Sequence, residues 1–561
     1  MQPGFRQRFA VARSACAAVA LLLAGAIVTS AQAPPRPRFI DIAAKSSIAY
    51  VSNNSFNGRK YFPQPMCGGI AVFDYDHDGK MDIYFTNGAK LPELRKTDPS
   101  FHSCLLRNRG DGTFEDVTRK SRLEGTEMDF SYGVAAGDYD NDGHTDLFIC
   151  NTGKDTLYHN NGDGAFTDVT ARSGISKPKD TLSVVAAWFD YDRDGLLDLV
   201  VSMYTFWTPQ IDRVCKFLGD REAYCNPGVY PSVPHRLYRN LGGGQFEDVT
   251  EKSGFAQAPG KGMGVSIADF NNDRWQDVFI ANDTEPNLLF MNQGNGAFEE
   301  QGLMWGVAYN DQAARVSAMG SDAKDYDNDG FVDIFYNNLM FQIWALFHNE
   351  SGKRFRYLSP RTMILRESRR RSGWSNGFID YNNDGWKDIY SANGDVDDLS
   401  ENARQSDTMF ENLEGKDFKD VSSELGKDFA APGFHRGSAF ADLNNDGFMD
   451  IIVTGLNERP RILLNSADNG HHWVLFDLTG TKSPRDAIGA GIKLTTGSGR
   501  VLHNHVAVSV GFMGSSDRRV HFGLGAETEI KEVEILWPSG RTQVLSGVKA
   551  DRIVRITEPA D

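Results

Sequence analysis

Seven times the chain places oxygen-bearing side chains at positions 1, 3, 5 and 9 of one nine-residue phrase, D-x-[D/N]-x-D-[G]-x-x-D. The first three copies supply Asp74, Asp76, Asp78 and Asp82; Asp138, Asp140, Asp142 and Asp146; and Asp190, Asp192, Asp194 and Asp198. The fourth and fifth supply Asp269, Asn271, Asp273 and Asp277, then Asp325, Asp327, Asp329 and Asp333. The last two supply Asp380, Asn382, Asp384 and Asp388, then Asp442, Asn444, Asp446 and Asp450. Oxygens converging from one tight turn suit a hard divalent cation, above all Ca2+, which takes six to eight of them at about 2.3–2.6 Å. Glycine at position 6 allows the positive φ of the sharp turn. The fourth copy has Arg274 there, and a side chain in that conformation costs on the order of 1 kcal/mol. That loop is expected to hold its cation most weakly. Asn271, Asn382 and Asn444 keep a carbonyl oxygen but bring no charge, so their loops are expected to bind less tightly.

The elements around the loops are strands. A helix–loop–helix calcium site needs a bidentate Glu at position 12, where this chain has Phe85, Ile149, Val201, Ile280, Tyr336, Ser391 and Val453. The residues after each loop, such as IYF, LFI and IIV, read as short apolar strands. The segments before the loops are rich in small residues, as in CGGIAVF, SYGVAAG and GMGVSIA, which suits strands crowded around an axis. A second phrase recurs between loops, LLRNRGDGTFEDVT from Leu105 and LYHNNGDGAFTDVT from Leu157 among others. Each copy reads as strand, Gly-rich hairpin, strand.

Repetition on this scale predicts a ring of sheets: an all-β, seven-bladed β-propeller. The seventh repeat lacks its last strand, and FIDIAAKSSI from Phe39 has the missing register. The N-terminal strand is therefore expected to close the ring and leave no open sheet edge. The predicted organisation is residues 1–33 as signal peptide, 34–465 as propeller, and 466–561 as a small β-sandwich-like domain.

Arg6, Arg8 and Arg13 precede an apolar stretch from Ala15 to Val28 and then Ala31-Gln32-Ala33, the pattern of a secretory signal. Cleavage is placed after Ala33 or after Ala31, leaving no membrane span. Export fits the cysteines. Cys215 and Cys225 share one long insertion and are expected to pair; Cys67–Cys104 is a second, weaker pairing; Cys150 reads as a buried thiol. In the tail, WVLFDL, GIKLTT, HVAVSV, RVHFGLG, EVEILW and RIVRIT are strand candidates. A formal charge of −16 argues against a nucleic-acid partner.

The repeats resemble FG-GAP/VCBS repeats of integrin-α-type propellers. The tail is similar to the ASPIC/UnbV domain, through GTKSPRDAIGA (Gly480 to Ala490), HFGLG (His521 to Gly525) and WPSG (Trp537 to Gly540). The whole resembles the cartilage-acidic-protein-like family. That resemblance implies an exported calcium-binding propeller and brings no catalytic residues. Up to seven Ca2+, mainly structural, are the expected cofactors, and an extracellular protein or glycan the expected partner of an interaction or scaffold module. The alternative is a calcium-dependent polysaccharide lyase or hydrolase working at the propeller's axial face, where His435, Arg436 and Trp374 are expected to lie. Lys482, Arg485 and Asp486 read as an anion-binding loop or as a turn locked by its own ion pair. His471, His472, His503 and His505 are weak transition-metal candidates. Arg366, Arg369, Arg370 and Arg371 read as a glycan contact or a solvated loop.

Overall fold

A computed structural model describes residues 38–217 and 219–560. The segment expected to be a signal peptide, residues 1–33, lies outside the described residues. Each cation-type loop joins two antiparallel strands, and two more strands complete the repeat, giving seven repeat sheets; six have four strands, and the first is extended to six by a hairpin from the tail. The first runs Ile70–Phe73, Asp82–Phe85, Cys104–Asn108 and Phe114–Asp116, each strand paired with the next. In every copy the position-9 Asp opens the second strand. The seventh sheet takes its outermost strand from the N-terminus: Phe39–Asp41 pairs antiparallel with Arg461–Asn465, Ile40 opposite Leu464.

Small residues are required where neighbouring sheets meet. A Cβ on Gly69 would lie 2.2 Å from Tyr132 O, and one on Gly437 2.4 Å from Gly68 O. These contacts put the inner strand of the first sheet against those of the second and seventh. A ring of asparagines ties the sheets together at the loop end. In each sheet an Asn at the end of the third strand donates from Nδ2 to a backbone carbonyl in the preceding sheet's loop. Asn160 reaches Tyr75 O at 3.1 Å, and Asn108 closes the cycle on Leu443 O at 2.8 Å. Each such amide satisfies a buried carbonyl that would otherwise cost about 1–3 kcal/mol.

The C-terminal strands form two sheets. One orders Val520–Gly525, His472–Thr479 and Arg552–Thr557; the other orders Val501–His505, Gly491–Thr496, Ile530–Leu536 and Thr542–Leu545. The HVAVSV segment departs from expectation. Only its first residue belongs to a tail strand, and the chain then enters the propeller axis as a tight hairpin, Ser509–Val510 and Gly514–Ser515. Gly514 and Ser515 pair parallel with Ile70 and Ala71. Gly511 exchanges backbone hydrogen bonds with Ser321, and Phe512 N donates to Ser375 Oγ at 3.0 Å. The hairpin touches the inner strand of all seven sheets. The hairpin also supplies side-chain partners to inner-strand backbone groups: Ser515 Oγ accepts Ala136 N at 3.1 Å, and Ser509 Oγ donates to Val265 O at 3.3 Å.

Cys215 and Cys225 are bonded, Cα–Cα 5.2 Å. Cys67 and Cys104 are both free and buried, so the second expected pairing does not form; Cys150 is likewise a buried thiol. Among the described residues no helix is long and apolar enough to cross a membrane.

Candidate metal centres on the loop face

Within each loop the carboxylates have distinct tasks. Asp74 at position 1 accepts Asp78 N at 3.0 Å and Gly79 N at 2.8 Å, and every other position-1 Asp does the same. The position-9 Asp is fully buried and braces two strands. Asp82 accepts Tyr75 N at 3.0 Å and Asn108 N at 2.7 Å. The position-5 Asp accepts the position-7 N–H, as Asp78 does from Lys80 at 3.0 Å. Position 4 takes φ between 57° and 60° in all seven copies, and position 6 is also left-handed, Arg274 included at φ 76°. The turn geometry is therefore kept in the fourth loop despite the missing glycine.

Several ligand atoms are left over. Asp76 Oδ1, Asp192 Oδ1 and Asp327 Oδ1 are buried and have no hydrogen-bond partner. Ligand atoms of Asp74, Asp76 and Asp82, of Asp138, Asp140 and Asp142, and of Asp190, Asp192 and Asp194 lie within 4.8 Å of one another. Burial pushes the carboxyls of Asp82 and Asp333 up to about 8, and those of Asp190 and Asp442 up to about 7. Asp138 is pushed up to about 8 by burial and then by the neighbouring Asp486 carboxylate. A divalent cation would displace those protons and give the orphaned oxygens a partner. The donor set fits a hard cation: Asp oxygens at positions 1, 3, 5 and 9, with Asn oxygens at position 3 in three loops.

The sequence reading missed a set of third-strand side chains that reach into the loops. Arg107 Nε lies 2.7 Å from Asp76 Oδ2, and its Nη2 3.1 Å from Asp78 Oδ2. Arg239 repeats this with Asp192 at 2.6 Å and Asp194 at 3.2 Å. His159 Nδ1 stands 3.4 Å from Asp140 Oδ2 and 3.2 Å from Asp146 Oδ1; His348 Nδ1 stands 3.3 Å from Asp327 Oδ2 and 3.2 Å from Asp333 Oδ1. These residues sit in the recurring LLRN, LYHN, LYRN and LFHN segments, whose variable third letter was the available signal.

The tail lies over this same face. Asp138 N donates to Asp486 Oδ2 at 2.7 Å, and Arg485 N to Asn141 Oδ1 at 2.8 Å. Arg519 donates to Asn445 Oδ1 and Asp442 O, Arg500 to Asp384 O, and the buried Lys387 to His503 O at 2.7 Å. Lys482, Arg485 and Asp486 thus form part of a dock onto the second and third loops. The anion their turn holds is internal: Glu558 Oε2 accepts Thr481 N, Lys482 N and Ser483 N at 2.8–2.9 Å. The histidine candidates fall apart as a group. His471 bonds Asn382 O, His472 pairs with Asp551, and burial pulls His503 down to about 4.

The expected axial ligand site is closed. His435 and Arg436 are 1% and 0% exposed. His435 Nδ1 is 2.6 Å from Asp407 Oδ1. Arg436 spends its donors on Pro65 O, His435 O and Asp395 O at 2.7–2.9 Å, and stacks 3.9 Å from the buried Trp374 ring. Of the basic run, Arg366 is exposed beside Glu367, and Arg371 lies near Asp420.

Repeated loop, repeated sheet and ring closure define a class, and comparison with known families agrees with it. FG-GAP-like repeats match at residues 102–149, 138–201, 229–280, 269–336, 325–391 and 380–453, and the chain belongs to that family. Residues 480–561 match the ASPIC and UnbV family. Cartilage acidic protein 1 of Mus musculus is 24% identical over 535 residues, covering 89% of this chain and 75% of that protein; the Homo sapiens protein is 24% identical over 528 residues, covering 89% and 73%. Among solved structures, an Agrocybe aegerita lectin recognising non-reducing terminal N-acetylglucosamine is 13% identical with a TM-score of 0.40, covering 72% of this chain and 94% of its own. The exotype rhamnogalacturonan lyase YesX is 12% identical with a TM-score of 0.37, covering 77% and 72%.

Proposed function

We propose that this is an exported, calcium-stabilised interaction module that binds an extracellular protein or glycan through the face away from its cation loops. The observation that carries the reading is the distribution of exposed apolar side chains. Phe206, Ile211, Val214 and Phe217 lie in or beside the insertion between the second and third strands of the third sheet; Phe341 lies in the matching connection of the fifth. Leu303 and Met304 follow the outer strand of the fourth sheet. All of these connections lie at the strand ends opposite the cation loops. Phe341 is 82% and Met304 81% exposed, a cost that a partner's surface would offset. The loop face and the axis are given over to the tail, and the residues on which an axial lyase or hydrolase would depend, His435 and Arg436, are buried. Export is supported by the N-terminal pattern and the Cys215–Cys225 bond. The cations hold the loops in shape and take no part in chemistry.

The test is a panel of extracellular proteins and polysaccharides incubated with the full chain in millimolar Ca2+, scored for retention and for product release. We expect retention without product, weakened at least tenfold by Phe341→Ser or Phe217→Ser with unchanged thermal stability. Product formation abolished by EDTA would replace the proposal with an enzyme.

A further inference from the structure

Position 3 of the loop and the third-strand residue just before the asparagine that ties neighbouring sheets together vary together. The four loops with Asp at position 3 face Arg107, His159, Arg239 and His348; the three with Asn271, Asn382 and Asn444 face Met291, Glu411 and Leu464. At that third-strand position a basic side chain is present wherever position 3 is charged and absent wherever it is neutral. The contacts give the reason. Arg107 and Arg239 each bridge the outer oxygens of the carboxylates at positions 3 and 5. In the Asn loops that outer position-5 oxygen is held by the asparagine itself, Asn271 to Asp273 at 2.8 Å, Asn382 to Asp384 at 3.1 Å and Asn444 to Asp446 at 2.8 Å. Two adjacent carboxylates repel, and the repeats relieve this either with an added cation or by removing one charge.

Building on the reading of these loops as cation sites, we propose that Arg107 and Arg239 are tethered counter-ions. In the first and third loops the guanidinium partly takes the place of a divalent cation, so those loops keep their shape without metal. Because like charges repel, the same guanidinium weakens Ca2+ binding there. The oxygens left over, Asp76 Oδ1 and Asp192 Oδ1, still point to a cation, so occupancy is graded and not abolished. The loops of one ring then fill at different Ca2+ levels although their backbones are the same.

The test compares wild type, Arg107→Met, Asp76→Asn and the double variant by thermal melting in EDTA and in millimolar Ca2+, with radioactive Ca2+ binding at a concentration that part-fills the wild type. Arg107→Met should lower Tm by several degrees in EDTA and by much less in Ca2+, and raise bound Ca2+. Adding Asp76→Asn should restore the EDTA Tm. Arg107→Lys should keep it, and Arg239→Met with Asp192→Asn repeats the test in a second loop should Arg107→Met fail to fold. Equal loss in both media, or no rescue by Asp76→Asn, overturns the proposal, since a packing role moves both melts together. A wild-type chain whose Tm ignores Ca2+ would instead sink the cation reading, leaving the Arg107–Asp76 coupling in EDTA to be judged alone.

Discussion

Arg436 shows how one residue is committed to structure. Its guanidinium lies fully inside the protein and serves four carbonyls, from Pro65, His435, Asp395 and, at 3.5 Å, Gly394. Arg436→Met should therefore cost about 2–4 kcal/mol by stranding buried acceptors, read as a lower urea midpoint in Ca2+ at constant slope. The loop carboxylates make a pH prediction of opposite sense to ordinary acid denaturation. Asp82 and Asp333 titrate at about 8 in the folded metal-free chain, raised by burial from 3.8. The native state then holds protons that the unfolded chain releases, so this stability is present below about pH 4 and is lost as pH rises toward 8. In EDTA, Tm should fall between pH 5 and 8; on the proposal that Ca2+ replaces those protons, the fall in Ca2+ should be much smaller. A metal-free chain that gains stability over that range would contradict the assignment. The loop position of residues such as Asp82 was legible in the sequence because spacing alone marks it. Arg107 was not, because 31 residues separate it from Asp76 and only the pairing of the second and third strands brings them together.

The element with the largest structural leverage is the axial hairpin Ser509–Ser515. At its tip Gly511 has φ 72°, and a Cβ there would lie 2.3 Å from Ser375 Oγ and 2.4 Å from Asn376 O. Gly511→Val combines backbone strain with a clash and should destabilise the chain by about 2–4 kcal/mol, measured by chemical denaturation. An unchanged midpoint would mean that the hairpin contributes little to the ring. In sequence this segment alternates apolar and small residues as a strand would, and it does pair as one, but with Ile70 and Ala71 of the first sheet. Periodicity reports that a segment is extended and half-buried; it carries no information about its partner. The N-terminal strand was different: a repeat lacking one strand and a spare strand of matching register left one arrangement that closes the ring.

For the whole molecule, the tail contacts the cation loops through Asp486, Arg485, Arg500 and Arg519 and fills the axis with its hairpin. Pro35–Asp561 forms one compact unit. Unfolding in Ca2+ should therefore give a single calorimetric transition whose calorimetric and van't Hoff enthalpies agree. EDTA should lower that transition as a whole. Two separated transitions, one for the repeats and one for the tail, would show that the dock is energetically weak.

The sequence by itself determined the repeating unit: where each carboxylate loop begins, the strands that flank it, the strand borrowed from the N-terminus, and the family. Those features are local or periodic, and local sterics and turn chemistry encode them within a few residues. Only the tertiary structure decided what the two faces of the ring are free to do. It buried His435 and Arg436, set arginines and histidines against selected loops, and placed the tail over the carboxylate-loop face. Each of these depends on residues tens to hundreds of positions apart meeting across the closed ring, and no short-range pattern records such a meeting.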